Sequence, residues 1–186
     1  MRGIRSCSML SVLLGVTAVL SGCASGTDSV GAALKARYRQ SLVEINDPRT
    51  QGRIVSPGVI LILQSEGVSA KRFRVIQANK TPRFHARDYA QVEIAPDGRL
   101  TAAPGDFTLT KGTRLAVLDL KVEKDRLRLF AHTLASVGLA DSRAVYGCTE
   151  FVFHFDAGTL ERSDVATVQG RVEAFLTLVP DTGWAP

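Results

Sequence analysis

At Gly58 the apolar residues of this chain stop recurring every three to four positions and begin to recur in strand-like runs and alternations. That change of period decides the class of fold: a helix first, then a long antiparallel β region. Upstream, Val30, Leu34, Tyr38, Leu42 and Ile45 line one side of a predicted helix, with Lys35, Arg37, Arg39 and Gln40 on the other. Asn46-Asp47-Pro48 stops it. Downstream, Val59 to Leu63 is a continuous apolar run between Pro57-Gly58 and Ser65-Glu66-Gly67. It predicts a central strand covered on both faces, with Val68 to Ile76 returning beside it as a hairpin partner.

Two further hairpins follow. Gln91 to Ala95 and Arg99 to Ala102 flank Pro96-Asp97-Gly98, where proline presets φ and glycine takes the left-handed position. Arg114–Val122 and 127–134 flank the turn Glu123-Lys124-Asp125-Arg126. In the first of these strands Ala116, Leu118, Leu120 and Val122 are expected on one face, Leu115, Val117, Asp119 and Lys121 on the other. The last strand, Ala144 to Phe155, separates a core face (Thr149, Phe151, Phe153, Phe155) from a polar row (Tyr146, Cys148, Glu150, His154) facing solvent or a groove. Ser163-Asp164 then starts a helix striped by Val165, Val168, Val172, Phe175, Leu176 and Val179, ended by Pro180. The sum is α+β: an antiparallel meander of about seven short strands, curled into a small barrel or strongly bent sheet, between two helices. The segment Leu109-Thr110-Lys111-Gly112-Thr113-Arg114-Leu115-Ala116-Val117-Leu118 resembles a strand of bacterial SH3-type small barrels, and the likeness favours a barrel over an open sheet.

The first 22 residues have a separate logic. Arg2 and Arg5 precede an apolar run from Met9 to Leu20, then small residues. That is the anatomy of an export signal, too short for a transmembrane helix of about 20 apolar residues. Leu20-Ser21-Gly22-Cys23 resembles the lipobox of bacterial lipoprotein precursors. The resemblance implies cleavage after Gly22 and a diacylglycerol thioether on Cys23. With Ala24 rather than aspartate next, it also implies sorting to the outer membrane, facing the periplasm. The expected organisation is therefore a signal peptide over 1–22, a lipidated tether over 23–29 and a single domain over 30–186.

Without its signal the chain is 164 residues long, and the net charge of +5 falls to +3 as Arg2 and Arg5 leave. That is enough chain for a real core and too little charge to suggest nucleic acid. Cys7 leaves with the signal and Cys23 takes the lipid, so Cys148 is the one remaining thiol, and no internal disulfide can form.

Reactive residues are sparse. Cys148, Glu150 and His154 cannot share a metal, because a strand places Cys148 and His154 roughly 20 Å apart. Serine-elbow, zinc-helix and phosphate-loop motifs are missing. A hydrolase pairing Cys148 with His85 or His132 is the competing class; it lacks the helix N-terminus that would depress the thiol's pKa. The one compositional anomaly is 71–89, where Lys71, Arg72, Arg74, Lys80, Arg83 and Arg87 alternate with Phe73, Phe84, His85 and Tyr89. These residues suit an anionic envelope partner, with Lys71, Arg72, Arg74, Arg83 and Arg87 making polar contacts and Phe84 and Tyr89 packing on it. The plainer reading is a charged strand edge that discourages aggregation. The expectation is an envelope-anchored lipoprotein with a non-catalytic binding or assembly role. It uses no cofactor or metal, meets no nucleic acid, and has as partner an envelope protein, anionic glycolipid or peptidoglycan. A purely structural envelope role is the third reading.

Overall fold

The computed structural model describes residues 26–47, 49–73, 76–78, 81–83, 89–140, 142–162 and 164–179; residues 26–29, 76–78, 81–83 and 161 are described by backbone alone. Helix α1 (Gly26–Arg37) buries Val30 and Leu34, with Tyr38 just past its end. It takes in four residues expected to be tether and stops short of Leu42, because the backbone that follows is claimed elsewhere. Val59 N–H donates to Arg39 O at 2.9 Å and Ser41 N–H to Val117 O at 2.7 Å. Leu42 therefore lies outside the helix, in β1 (Leu42–Val43), which pairs with β2 (Ile54–Ser56).

Strand β3 (Ile60–Leu63) is central, but its expected hairpin with β4 (Val68–Arg72) does not form. Instead β3 lies between β10 (Arg114–Val122) and β15 (Leu176–Leu178), and β4 lies between β9 (Phe107–Leu109) and β14 (Gly147–His154). Residues 64–67 turn a corner rather than a hairpin. Ile62 faces Arg114 before the bend and Val68 faces Leu109 after it, so β3–β4 and β9–β10 behave as two bent strands keeping company around one corner. Gly67 (φ 71°) and Gly112 (φ 88°) sit at that corner with open space at the Cβ position. Backbone conformation, not crowding, requires glycine at both.

The two later hairpins form as expected. β7 (Ala90–Ile94) pairs with β8 (Leu100–Ala102), and β10 with β11 (Arg126–Thr133). Strand β14 pairs along one edge with β11; its other edge is shared by β4 and then β7, the latter running parallel. Nine strands form this one sheet, and fifteen strand segments are described where about seven were expected. Six of these lie in short pairs outside the main sheet: β1 with β2, β5 (Ile76–Ala78) with β6 (Thr81–Arg83), and β12 (Gly138–Ala140) with β13 (Arg143–Val145). Beyond a short turn of helix, α2 (Thr159–Arg162), the last helix is α3 (Val165–Glu173). Asp164 caps it by accepting from Thr167 N–H at 2.7 Å. The helix expected through Val179 ends early, because Leu176–Leu178 pair with the open edge of β3.

The sheet curls into a half-barrel. One core packs Leu61, Leu115, Leu129, Phe151 and Phe153 against Leu34, Leu160, Val168 and Val172 of the helices. A second, smaller core on the opposite face joins Phe73, Tyr89, Phe130 and Cys148 with Val43, Ile45, Leu118 and Tyr146. Strand β10 serves both. A bulge at Leu118 shifts its register against β11, so that Leu115 and Val117 before it, and Leu120 and Val122 after it, all reach the first core. The simple alternation expected for this strand fails at that residue.

Glycine substitutions should separate crowding from helix propensity. A Cβ on Gly58 would lie 2.2 Å from Arg39 O, where the 39–41 backbone crosses β3, whereas exposed Gly170 in α3 has nothing within 4 Å. Gly58→Ala is expected to cost about 3 kcal/mol or more and Gly170→Ala to add about 0.5–1 kcal/mol, read from denaturant midpoints.

Candidate functional site

The polar row expected along β14 is split by the fold. Cys148 (2% exposed) lies directly opposite His132 (0%), in a layer with Phe73 and Tyr146. The His132 ring meets Phe73 edge-on at 5.0 Å and Tyr146 at 5.3 Å. Its Nδ1 is 2.7 Å from Thr133 O, and a carbonyl only accepts, so the proton sits on Nδ1. Nε2 is buried without a hydrogen-bond partner. Burial pushes the imidazole down to about 4, against a smaller upward pull from Thr133. His132 is neutral at pH 7.

Glu150 (1% exposed) is carried into the interior by the same strand and hydrogen-bonds Arg128, which also reaches Glu123 at 3.1 Å. The Glu150 bond raises the Arg128 pKa more than burial lowers it. Burial would raise Glu123, but its bonds with Arg126 and Arg128 outweigh that and hold it below the usual carboxylate range. Arg128 and Lys121 stand over the Phe130 ring at 5.4 and 5.1 Å, and Tyr89 meets that ring edge-on at 5.1 Å. His154, half-exposed at the end of β14, bonds Glu93 of β7. This face is a structural polar layer under an aromatic cover.

The concavity with room for a ligand lies at the other end of β10. A groove of about 930 Å³ is lined by Arg53, Ile54 and Val55 of the β2 segment. Its lining also takes in Thr108 and Leu109 of β9, the turn residues Thr110, Gly112 and Thr113, and Arg114. Residues 133–137 complete it with Thr133, Leu134, Ala135, Ser136 and Val137. Its lining has two cations, five hydroxyls, no carboxylate and no aromatic ring. Arg53 and Arg114 are exposed and, among the described residues, engage no carboxylate, whereas Arg37 holds Glu173 at 2.7 Å. A smaller hollow of about 450 Å³, lined by Leu42, Tyr89, Leu118 and Asp119 among others, lies over the second core and carries one acid and no cation.

Among the described residues, those singled out by composition do not share one face. Lys71 and Arg72 are half-buried neighbours on β4, opposite Cys148 and Gly147, and therefore point to different faces. Tyr89, expected to pack on a ligand, is 4% exposed and belongs to the second core, as does Phe73. Arg83 ends the β5–β6 hairpin. Cys23, Arg74, Phe84, His85 and Arg87 lie outside the described residues. The groove was missed because its residues are ordinary one by one. The available signal was the hydroxyl-rich run Thr108 to Thr113 ending at Arg114.

Among the described residues no three His, Cys, Asp or Glu side chains are placed to hold a metal ion, and no helix is long and apolar enough to cross a membrane. Comparison with protein-family models, with curated proteins and with solved structures finds no match.

The buried His132 has a consequence in acid. An imidazole that protonates near 4 when folded and near 6.5 when unfolded opposes folding as pH falls through that window. Stability should drop by roughly 3 kcal/mol between pH 7 and 4. In His132→Leu, chemical denaturation at each pH should show that loss reduced by the same amount.

Proposed function

We propose that this chain is a lipid-anchored envelope protein that holds an anionic partner in the groove between β2 and the β9–β10 turn. The observation that carries the reading is the lining itself: exposed Arg53 and Arg114, each without a carboxylate, in a concavity of about 930 Å³ free of acidic side chains. An unpaired guanidinium is a ready fork for carboxylate or phosphate oxygens, and the apolar Ile54, Leu109 and Val137 beside them favour a ligand with an apolar portion. The lipobox at Leu20-Ser21-Gly22-Cys23 supports the anchor and the envelope address.

The role is binding or assembly rather than hydrolysis. A Cys148–His132 nucleophile would need a substrate to reach a buried thiol and an imidazole able to hold a proton at neutral pH. Both side chains are buried and the imidazole is neutral at pH 7. The same reading takes the half-barrel as a small barrel. In its support, the ladder of paired strands runs from β10 through β11, β14 and β4 to β9, which rejoins β10 across residues 110–113. The segment resembling an SH3-type barrel strand is that junction.

Two measurements on the full chain in envelopes test this. Labelling with an alkyne fatty acid should mark the wild type and not Cys23→Ala, which should leave the membrane fraction. A photo-crosslinking residue at Ala135 should yield adducts that fall at least tenfold in Arg53→Glu/Arg114→Glu. Adducts unchanged by the charge reversal would sink the groove as an anion site.

A further inference from the structure

We infer that the occupant of the groove is an extended acidic peptide segment of a partner protein, approaching from the end of the domain away from the lipid. The inference rests on the groove reading above and names its ligand class. Four features point to a peptide. First, the groove is bordered by two sheet edges: among the described residues β2 pairs only with β1, and β9 only with β4. An edge strand offers main-chain donors and acceptors at the spacing an extended chain needs. Second, the lining alternates small hydroxyls with aliphatic side chains and has no aromatic ring, so it lacks a platform on which a sugar could stack.

Third, apolar surface is left exposed at the rim. Val55 on β2 is 44% exposed and Leu139, two residues beyond the lining residue Val137, is 76% exposed. Exposed aliphatics beside an open groove are what a protein partner covers. Fourth, the charge is one-sided. Arg53 and Arg114 both line the groove and both are cations, so a segment lying in it meets positive charge from two separate stretches of chain. Carboxylates alternating with aliphatic side chains would satisfy walls and floor together.

The position of the groove sets the direction of approach. A Cβ added to Gly31 of α1 would lie 3.7 Å from Val122, the last residue of β10, while Ser41 N–H bonds Val117 O. Helix α1 therefore runs back along β10, with its N-terminal end beyond Val122. Only Ala24 and Ser25 separate Cys23 from that helix, a span of about 10 Å at full stretch. Arg114 and the groove begin at the opposite end of β10, roughly 25 Å of strand away. The anchored end meets the bilayer and the groove end is presented to whatever lies beyond it.

The test is fluorescence anisotropy on the acylated full chain in detergent. The probe is a labelled octapeptide of alternating Glu and Val with blocked ends, compared with Gln–Val and Lys–Val peptides. The Glu–Val peptide should bind at least tenfold tighter than Gln–Val, weaken with salt, and lose tenfold or more in Arg114→Gln. Arg53→Glu/Arg114→Glu should reverse the preference toward Lys–Val, which also shows that the variant still folds. Dodecanoate should not displace the peptide, and anionic phosphatidylglycerol vesicles should not compete. Equal affinity for all three peptides, no binding of any, or displacement by dodecanoate or vesicles would overturn the peptide assignment. Charge-dependent crosslinking from Ala135 would then stand on its own and point to a lipid anion instead.

Discussion

Strand β14 is buried on both faces, and both of its edges are hydrogen-bonded, one to β11 and the other to β4 and β7 in turn. Much else in the domain answers to that one constraint. A strand with two dry faces needs two covers. Phe151 and Phe153 meet the helices on one side; the excursion between α1 and β3 brings Val43 and Ile45 over the other. It also obliges Glu150 to be buried, and a buried carboxylate persists only with a partner. Arg128, one strand away, supplies the charge and lies across Phe130 as it does so. With no disulfide among the described residues, these covers and this pair hold the centre of the sheet.

The corner shared by β3–β4 and β9–β10 links architecture to function. The residues that bend the sheet, Thr110 to Thr113, are also one wall of the groove. Gly112 N–H donates to Leu63 O at 2.8 Å and Leu63 N–H to Thr113 O at 3.0 Å, so that wall is locked to the central strand from behind. Arg114 follows within the ladder itself, held by β3 on one side and β11 on the other. The backbone of an arginine mounted this way is already ordered, so under the proposed reading only its side chain would lose freedom on engaging a ligand.

What could be read from the residues was what is local. The β7–β8 and β10–β11 hairpins announce themselves because turn chemistry and both strands lie within 13 and 20 consecutive positions. The phenylalanine face of β14 was legible because alternation needs only the strand itself. The pairing of β3 was not. Ser65-Glu66-Gly67 has the composition of a hairpin turn, and nothing in it says that Gln64 N–H will bond Phe175 O, more than a hundred residues on. The end of α3 was hidden for the same reason: Leu176 and Val179 fit a helical stripe, but the open edge of β3 decides otherwise. The basic stretch 71–89 drew attention by composition, yet Phe73 and Tyr89 were spent on the second core. The groove is assembled from three separate segments, none unusual alone.

The bulge at Leu118 makes β10 a strand written in two reading frames. Upstream of it odd-numbered residues are oily on the core side; downstream even-numbered ones are, and Asp119 and Lys121 go outward, where Asp119 takes a hydrogen bond from Gln40 at 2.9 Å. One extra residue thus reconciles two phases of hydrophobic pattern that a straight strand could not. Losing that single position would leave composition almost untouched while bringing the two halves into one continuous phase. Leu115, Val117, Leu120 and Val122 would then all face the first core along a regular ladder with β11, and the second core would lose Leu118. Lengthening or shortening a chain by one is usually a matter for loops. Here it decides, in the middle of the longest described strand, whether that strand serves two cores or one.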